Sequence, residues 1–339
     1  MVRLPLWCGL GLLVLAAALP APARAETLSL AGAGASFPAP LYLRLAEDFQ
    51  AHHPGVMVSY ASVGSGEGIA RFLADAVDFG ASDQPPNPQE AARASHGLVL
   101  VPATAGMVVV AYNLPGLQGE LRLPADATAG IFAGRIRSWD DPALTAANPG
   151  LKLPHRSIAV VVRQEASGTT AAFTRALAAA SPVWREAHLG TGRTIAWPGA
   201  VMKARGNEAV SARLRISDWS IGYVEYGFAE RLGLPMAALE NATGSFVRPS
   251  RATGTAALAG GADPTTPLDR PAGAEAYPIV TYSWLLLRAG YDDPARAAAL
   301  RAFVAFGLGE GQTTAAALGY IPLPPTVTQA ARASLDRVR

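Results

Sequence analysis

The chain has 339 residues, half of them hydrophobic and 16% charged, with a formal net charge of +2. Removing Arg3 and Arg24, which fall in the leader described below, from the 28 basic residues leaves 26 against 26 acidic ones, a balance that argues against a nucleic-acid or polybasic membrane binder. Cys8 is the only cysteine and precedes the N-terminal apolar run, so the processed chain is expected to hold no disulfide and no thiolate metal site.

The N-terminus reads as Arg3, an apolar run from Leu4 to Leu19, and Ala23-Arg24-Ala25 ahead of Glu26. This is the pattern of a secretory signal peptide over residues 1–25, cleaved after Ala25. An anchor helix is the competing reading, but a span needs roughly 18 or more apolar residues. The 314 residues that follow (339 less 25) exceed one ordinary core and suggest two domains.

From there, short β-branched runs alternate with helical patterns: "TLSLAGA" before Leu41 to Phe49, "VMVSYASV" before Ile69 to Leu73, and "SIAVVVR" before Thr169 to Ala179. The alternation predicts βα units and a largely parallel sheet. In open α/β sheets ligands lie beyond the carboxyl ends of strands, so the strand-to-helix turns are the positions to weigh. "AGMVVVAYN" at 105–113 and "YPIVTYSWLLLR" at 277–288 read as two strands that cross between domains. Domain one is then 26–108 with 279–339, and domain two is 109–278. The Gly-, Pro-, Thr- and Ala-dense stretch 241–276 reads as loop, and the C-terminal "DPARAAALRAFVAFGL" and "TQAARASLDRVR" as amphipathic helices.

Four turns carry chemistry. In "GAGASFPAPLY", 32–42, Ser36 is placed to cap the next helix, Pro38 suits its first turn, and the free N–H groups near Phe37 favour an anion; alone, the turn reads as a plain capped helix. In "VGSGEGIARF", 63–72, the G-x-G-x-G spacing is not a dinucleotide loop, and a glycine nest around Ser65 fits better. In "VDFGASDQPPNP", 77–88, Asp83 follows a strand, either to cap a turn or to face a ligand. A carboxylate repels an anion unless that anion has a proton to give, which points to a protonated oxyanion. In "VVVRQEASGTT", 160–170, Arg163 ends a strand and Ser167-Gly168-Thr169 open a helix without the lysine of a phosphate-binding Walker loop. A guanidinium offers forked donors to an oxyanion, with Glu165 placed to hold it; alone, Arg163 reads equally as a surface residue. No G-x-S-x-G elbow and no H-E-x-x-H spacing occurs, so no catalytic residue, metal or cofactor is expected.

"GAGASFPAPLY", "VGSGEG", "VDFGASD", "IFAGRIRSWDDPAL", "NPGLKLP", "IAVVVRQEASGTT" and "IGYVEYGFA" together resemble the periplasmic phosphate-binding proteins of bacterial phosphate-specific ABC importers. The likeness covers most of 28–228 and the 277–288 strand, and is thin through 229–276. It implies a periplasmic-binding-protein (venus-flytrap) fold, α/β in class: two domains joined by two linker strands, with inorganic phosphate in the cleft. A monomer that hands phosphate to a membrane permease is expected. By position, the phosphate ligands would be Ser36, Phe37, Ser65, Asp83, Arg163, Ser167, Gly168 and Thr169. The chain departs from the family pattern at Ser36, where threonine is common, and at Glu165-Ala166, which stand for an Asp-Gly pair. A role in phosphate sensing or attachment, and an exported phosphatase on the same fold, are the alternatives.

Overall fold

The computed structural model describes residues 27–259 and 268–339; the signal peptide expected over 1–25 lies outside these residues. The first elements are β1 (Leu28–Gly34), α1 (Ala39–His52), β2 (Val56–Ser62), α2 (Ser65–Leu73), β3 (Phe79–Ser82), α3 (Pro88–Ala91) and the long β4 (Val99–Asn113). After β4 come β5 (Arg122–Leu123), α4 (Ala125–Phe132), α5 (Pro142–Ala147), β6 (Ala159–Arg163), α6 (Gly168–Ala180) and α7 (Pro182–Glu186). β7 (Met202–Ala204), α8 (Gly206–Ile216), β8 (Ser220–Glu225), α9 (Tyr226–Arg231), β9 (Ala238–Glu240), β10 (Phe246–Val247) and α10 (Arg251–Leu258) follow. The chain closes with β11 (Val280–Leu287), α11 (Pro294–Leu308), α12 (Gly311–Ala317) and α13 (Pro325–Leu335).

Eight strands form one sheet in the order β2-β1-β3-β11-β4-β8-β6-β7, and β10-β9-β5 form a second, small one. The flanks are parallel, as the βα alternation predicts: β1 pairs with β2 and β3, and β6 with β7 and β8. The centre is not, because β11 is antiparallel to both β3 and β4, and β4 is antiparallel to β8. The sheet is therefore mixed rather than largely parallel. A strand that arrives by a long connection, as β11 does after α10, is free to enter in either direction, and only short βα crossovers enforce parallel pairing.

The register of β4 determines where the site falls. Its residues Val99 to Met107 pair with β11, and from Val108 onward the same strand pairs with β8. Val280 opens β11 opposite Met107, and Glu225 ends β8 opposite Val108. The carboxyl ends of β1 and β3 on one side, and of β6 and β8 on the other, thus face a common junction at 107/108. The central strands are buried along their whole length, so they read as near-continuous apolar runs with helices on both faces. α1 lays Leu41, Tyr42, Leu45, Ala46 and Phe49 into this core, the i, i+4 stripe of a surface helix. α11 does the same with Ala297, Leu300, Phe303, Val304 and Leu308, as its sequence suggests. The stretch 241–276, read above as loop, contains β10 and α10. The overlooked signal is a capping box: the Ser250 side chain accepts from Thr253 N, and the Thr253 hydroxyl accepts from Ser250 N, fixing a helix start.

Candidate functional site

At the junction the four turns meet in a buried cluster. The side chains of Ser36, Phe37, Ser65, Asp83, Arg163, Ser167 and Thr169 are each between 0 and 4% exposed, and Gly168 is buried with them.

Ser36 does not cap α1. Pro38 occupies the N-cap without a side-chain cap bond, and Ala39 N donates to the Ser36 carbonyl (3.3 Å), so the backbone rather than the hydroxyl tends the helix end. The helix begins too late for the Ser36 hydroxyl to reach its N–H groups. Its oxygen instead accepts from Arg163 Nη2, Asn207 N and Asn207 Nδ2, each at 3.0 Å. The Phe37 ring is core, packed 6.1 Å from Tyr320, whose hydroxyl donates to the Phe37 carbonyl at 2.7 Å. What Phe37 presents to the junction is its backbone.

The second turn is glycine-rich for closeness rather than as an amide nest. Gly66 N donates to the Ala166 carbonyl (3.0 Å), and a Cβ at Gly66 would lie 2.5 Å from that of Ala166. The 64–66 loop is thus pressed against the 165–166 loop, and the Gly66 amide is engaged there. Ser65 opens α2, and its oxygen accepts from Asp83 N at 3.3 Å. Across the junction, a Cβ at Gly168 would sit 2.5 Å from Ser65 Oγ and 2.7 Å from Asp83 Cβ. Only glycine permits that approach.

Asp83 is not a turn cap either. That work falls to Ser82, whose oxygen accepts from Gln84 N at 3.2 Å. The Asp83 carboxylate accepts from Ser283 at Oδ1 (2.8 Å) and from Thr169 at Oδ2 (3.4 Å). Burial pushes its pKa up to about 7, against the pull of the Ser283 hydrogen bond, the Arg163 charge and the Thr169 hydrogen bond; desolvation of the charged form wins.

Arg163 ends β6 with its guanidinium inside the cluster. Nη1 donates to Thr169 Oγ1 (3.1 Å), and Nε to Glu165 Oε1 (2.9 Å), with Nη2 also on that oxygen. Glu165 Oε1 further accepts from Gly206 N at 3.1 Å. The longer side chain at 165 thus reaches Arg163 and ties it to the start of α8. Ser167 is the N-cap of α6: its oxygen accepts from Thr170 N (3.2 Å), and its N–H donates to the Arg193 carbonyl (2.8 Å). Gly168 and Thr169 occupy the first turn, where N–H groups lack intrahelical partners.

Three residues absent from the sequence-based set join the cluster. Asn207, at the second position of α8, contacts Ser36 and Thr169. Ser283 holds Asp83. Glu225 ends β8, caps α9 through Gly227 N (2.8 Å) and Phe228 N (3.2 Å), and is fully buried, which raises its pKa to about 8. Outside the cluster a cavity of about 760 Å³ opens between the two halves, lined by Gly64, Glu67, Arg71, Arg205 and Glu208 among others. It is bridged by the Arg193–Glu90 ion pair and by Ser62 donating to Glu208 (3.2 Å). Among the described residues there is no group of His, Cys, Asp and Glu fit to hold a metal, and no helix long and apolar enough to cross a membrane.

A mixed sheet with parallel flanks, helices on both faces and a buried oxyanion-type cluster where strand ends converge define a binding-protein domain. A family model described as a PBP superfamily domain matches residues 20–310. The chain is 37% identical over 298 residues to the phosphate-binding protein PstS of Haemophilus influenzae, covering 86% of this chain and 88% of that one. It is 38% identical over 301 residues to the PstS of Xylella fastidiosa strain 9a5c, covering 87% and 81%. The chain belongs to the PstS family of phosphate-binding proteins, which are binding proteins and not enzymes. Solved structures share the fold at lower identity. One is a high affinity periplasmic phosphate-binding protein (PfluDING) bound with phosphate, with TM-score 0.73, 24% identity, and coverage of 90% and 93%. Another is a phosphate-binding protein from Stenotrophomonas maltophilia, with TM-score 0.70, 23% identity, and coverage of 91% and 94%.

Proposed function

We propose that this chain captures inorganic phosphate at the 107/108 junction and, exported to the periplasm as a monomer, delivers it to the permease of a phosphate ABC importer. Ser36, Phe37, Ser65, Asp83, Arg163, Ser167, Gly168 and Thr169 are its ligands. The names of its relatives support the ion, and the observation that carries the reading is the pairing of a buried Asp83 with Arg163 through the shared Thr169 hydroxyl. Phosphate entering a buried site must exchange every lost water contact for a protein donor. Helix-start amides and hydroxyls supply these without importing a full counter-charge, because Glu165 already offsets much of Arg163.

Asp83 then sets selectivity. Its ionised carboxylate accepts a hydrogen bond from the P–O–H group that a phosphate dianion carries. Sulfate has none to give, and would set two acceptors face to face. Residues 26–108 with 279–339 form one domain and 109–278 the other, a division supported by the switch of β4 from β11 to β8; closing the two about their linkers brings both sets of donors onto the ion. The test is calorimetric titration of ligand-stripped protein at pH 8.5, where Asp83 is ionised. Saturable heat with phosphate and none with sulfate is expected. Absence of phosphate heat, or equal binding of both ions, overturns the reading.

A further inference from the structure

We infer that Asn207 is a direct phosphate ligand, donating its Nδ2 and its backbone N–H from a fifth strand-to-helix turn; the inference rests on the phosphate reading above. Asn207 is fully buried and follows Gly206, whose φ of +69° is a left-handed conformation suited to glycine. Its Oδ1 accepts from Glu225 N at 2.9 Å. That bond fixes the amide plane and leaves Nδ2 aimed into the cluster, 3.0 Å from Ser36 Oγ and 3.4 Å from Thr169 Oγ1.

The donors there outnumber the acceptors. A hydroxyl oxygen has two lone pairs, yet Ser36 Oγ is approached by three N–H groups: Arg163 Nη2, Asn207 N and Asn207 Nδ2. Thr169 Oγ1 receives two more, from Arg163 Nη1 and Asn207 Nδ2, while giving its own proton to Asp83. A buried donor without a full acceptor is costly. An oxyanion with several lone pairs is the group that relieves such a surplus, and a neutral amide contributes to it without adding charge to a site that already holds Arg163. Asn207 thus does for the 205–207 turn what Thr169 does for the 167–169 turn.

Asn207→Asp keeps an oxygen for Glu225 N and keeps the backbone N–H, but replaces the Nδ2 donor with an acceptor that repels a dianion. Asn207→Ser removes the amide. Phosphate affinity by calorimetry is expected to fall roughly 10- to 100-fold for Asn207→Ser, the worth of a hydrogen bond to a charged group, and further for Asn207→Asp. Asn207→Ser also leaves the buried Glu225 N without its acceptor, so its thermal midpoint without phosphate is expected to fall, and affinities are compared at a temperature where both variants are folded. Folded variants that bind phosphate as the parent does overturn the assignment and leave the phosphate reading intact. An affinity loss in Asn207→Ser that Asn207→Asp does not share traces to the lost Glu225 N bond rather than to Nδ2, and also overturns it. A parent protein that takes up no phosphate overturns both. Should Asn207→Asp not fold, an Asn207→Ser protein that binds phosphate as the parent does still overturns the assignment.

Discussion

Two arginines end buried strands of the same sheet, and their surroundings give them different work. Arg163 closes "AVVVR" and Arg288 follows "WLLL", 4 and 8% exposed respectively. Arg288 donates to Asp75 Oδ1 (2.9 Å) and to the carbonyls of Asp78 (3.2 Å) and Val77 (2.7 Å), with its guanidinium 5.3 Å over Phe72 and 5.5 Å over Tyr291. These acceptors are fixed in backbone and loop, so Arg288 is a structural tie. Arg163 gives one edge to Glu165 and the other to the hydroxyls of Ser36 and Thr169. Hydroxyls rotate, and turn protons toward an arriving anion while releasing the guanidinium to it. Topology separates the two as well. β11 runs antiparallel, so Leu287 pairs with Val99 at the far end of β4 from the junction, whereas β6 ends toward it. On the proposed reading, a charged strand end becomes a ligand site only where its strand points at the junction and its partners are able to let go.

The sharpest way to break this contrast is to neutralise each arginine in turn. Arg163→Met is expected to weaken phosphate binding by a factor on the order of 10² to 10⁴, two charged hydrogen bonds' worth, and to cost stability as well, because it leaves the nearly buried Glu165 without its cation. Arg288→Met is expected to leave phosphate affinity unchanged and to cost about 2–4 kcal/mol in denaturant unfolding, since two carbonyls lose their donor. Titration and unfolding of both variants check this, and a loss of affinity without a loss of stability in Arg288→Met contradicts it.

A smaller effect separates the carboxylates. Asp83 is raised to about 7 and Glu225 to about 8, both by burial, so each folded pKa lies above its unfolded value. The folded state then binds more protons, and stability without phosphate is fullest below about pH 4 for these two groups and declines as pH rises through 7 and 8. Thermal midpoints measured on stripped protein should fall across that window, and Asp83→Asn should flatten the portion up to pH 7. An identical slope in parent and variant contradicts the burial argument for Asp83.

Much of this site is legible in the residues because each turn breaks a local rule. An arginine after four apolar residues and an aspartate after "VDFGAS" have no packing motive, which marks Arg163 and Asp83 out from the strands that carry them. Asn207 escaped because β7 is only three residues long, too short to announce a strand-to-helix turn, although "ARGNEA" contains the glycine such a turn uses. Ser283 escaped for the opposite reason: it lies within an eight-residue strand whose pattern is wholly buried, where a lone serine reads as tolerated polarity. Ser36 stands out for its place but not for its bond, since a capping hydroxyl and one that accepts across the junction look alike in sequence and only the position of Pro38 tells them apart. The mixed centre of the sheet was beyond reach, because strand direction there depends on which way a long connection returns.

The central claim is that selectivity resides in the ionised Asp83 carboxylate, which only an anion that still carries a proton can satisfy. Sulfate affinity of the stripped protein, measured from pH 5 to pH 8.5, tests it most directly. Sulfate requires Asp83 to supply the proton it lacks, so its affinity should rise about 30-fold from pH 8.5 to pH 5, following protonation of a group with a pKa near 7. In Asp83→Asn, which donates at every pH, sulfate binding should be strong and flat. Sulfate affinity that is independent of pH in the parent, or unimproved at pH 8.5 in Asp83→Asn, would contradict the account.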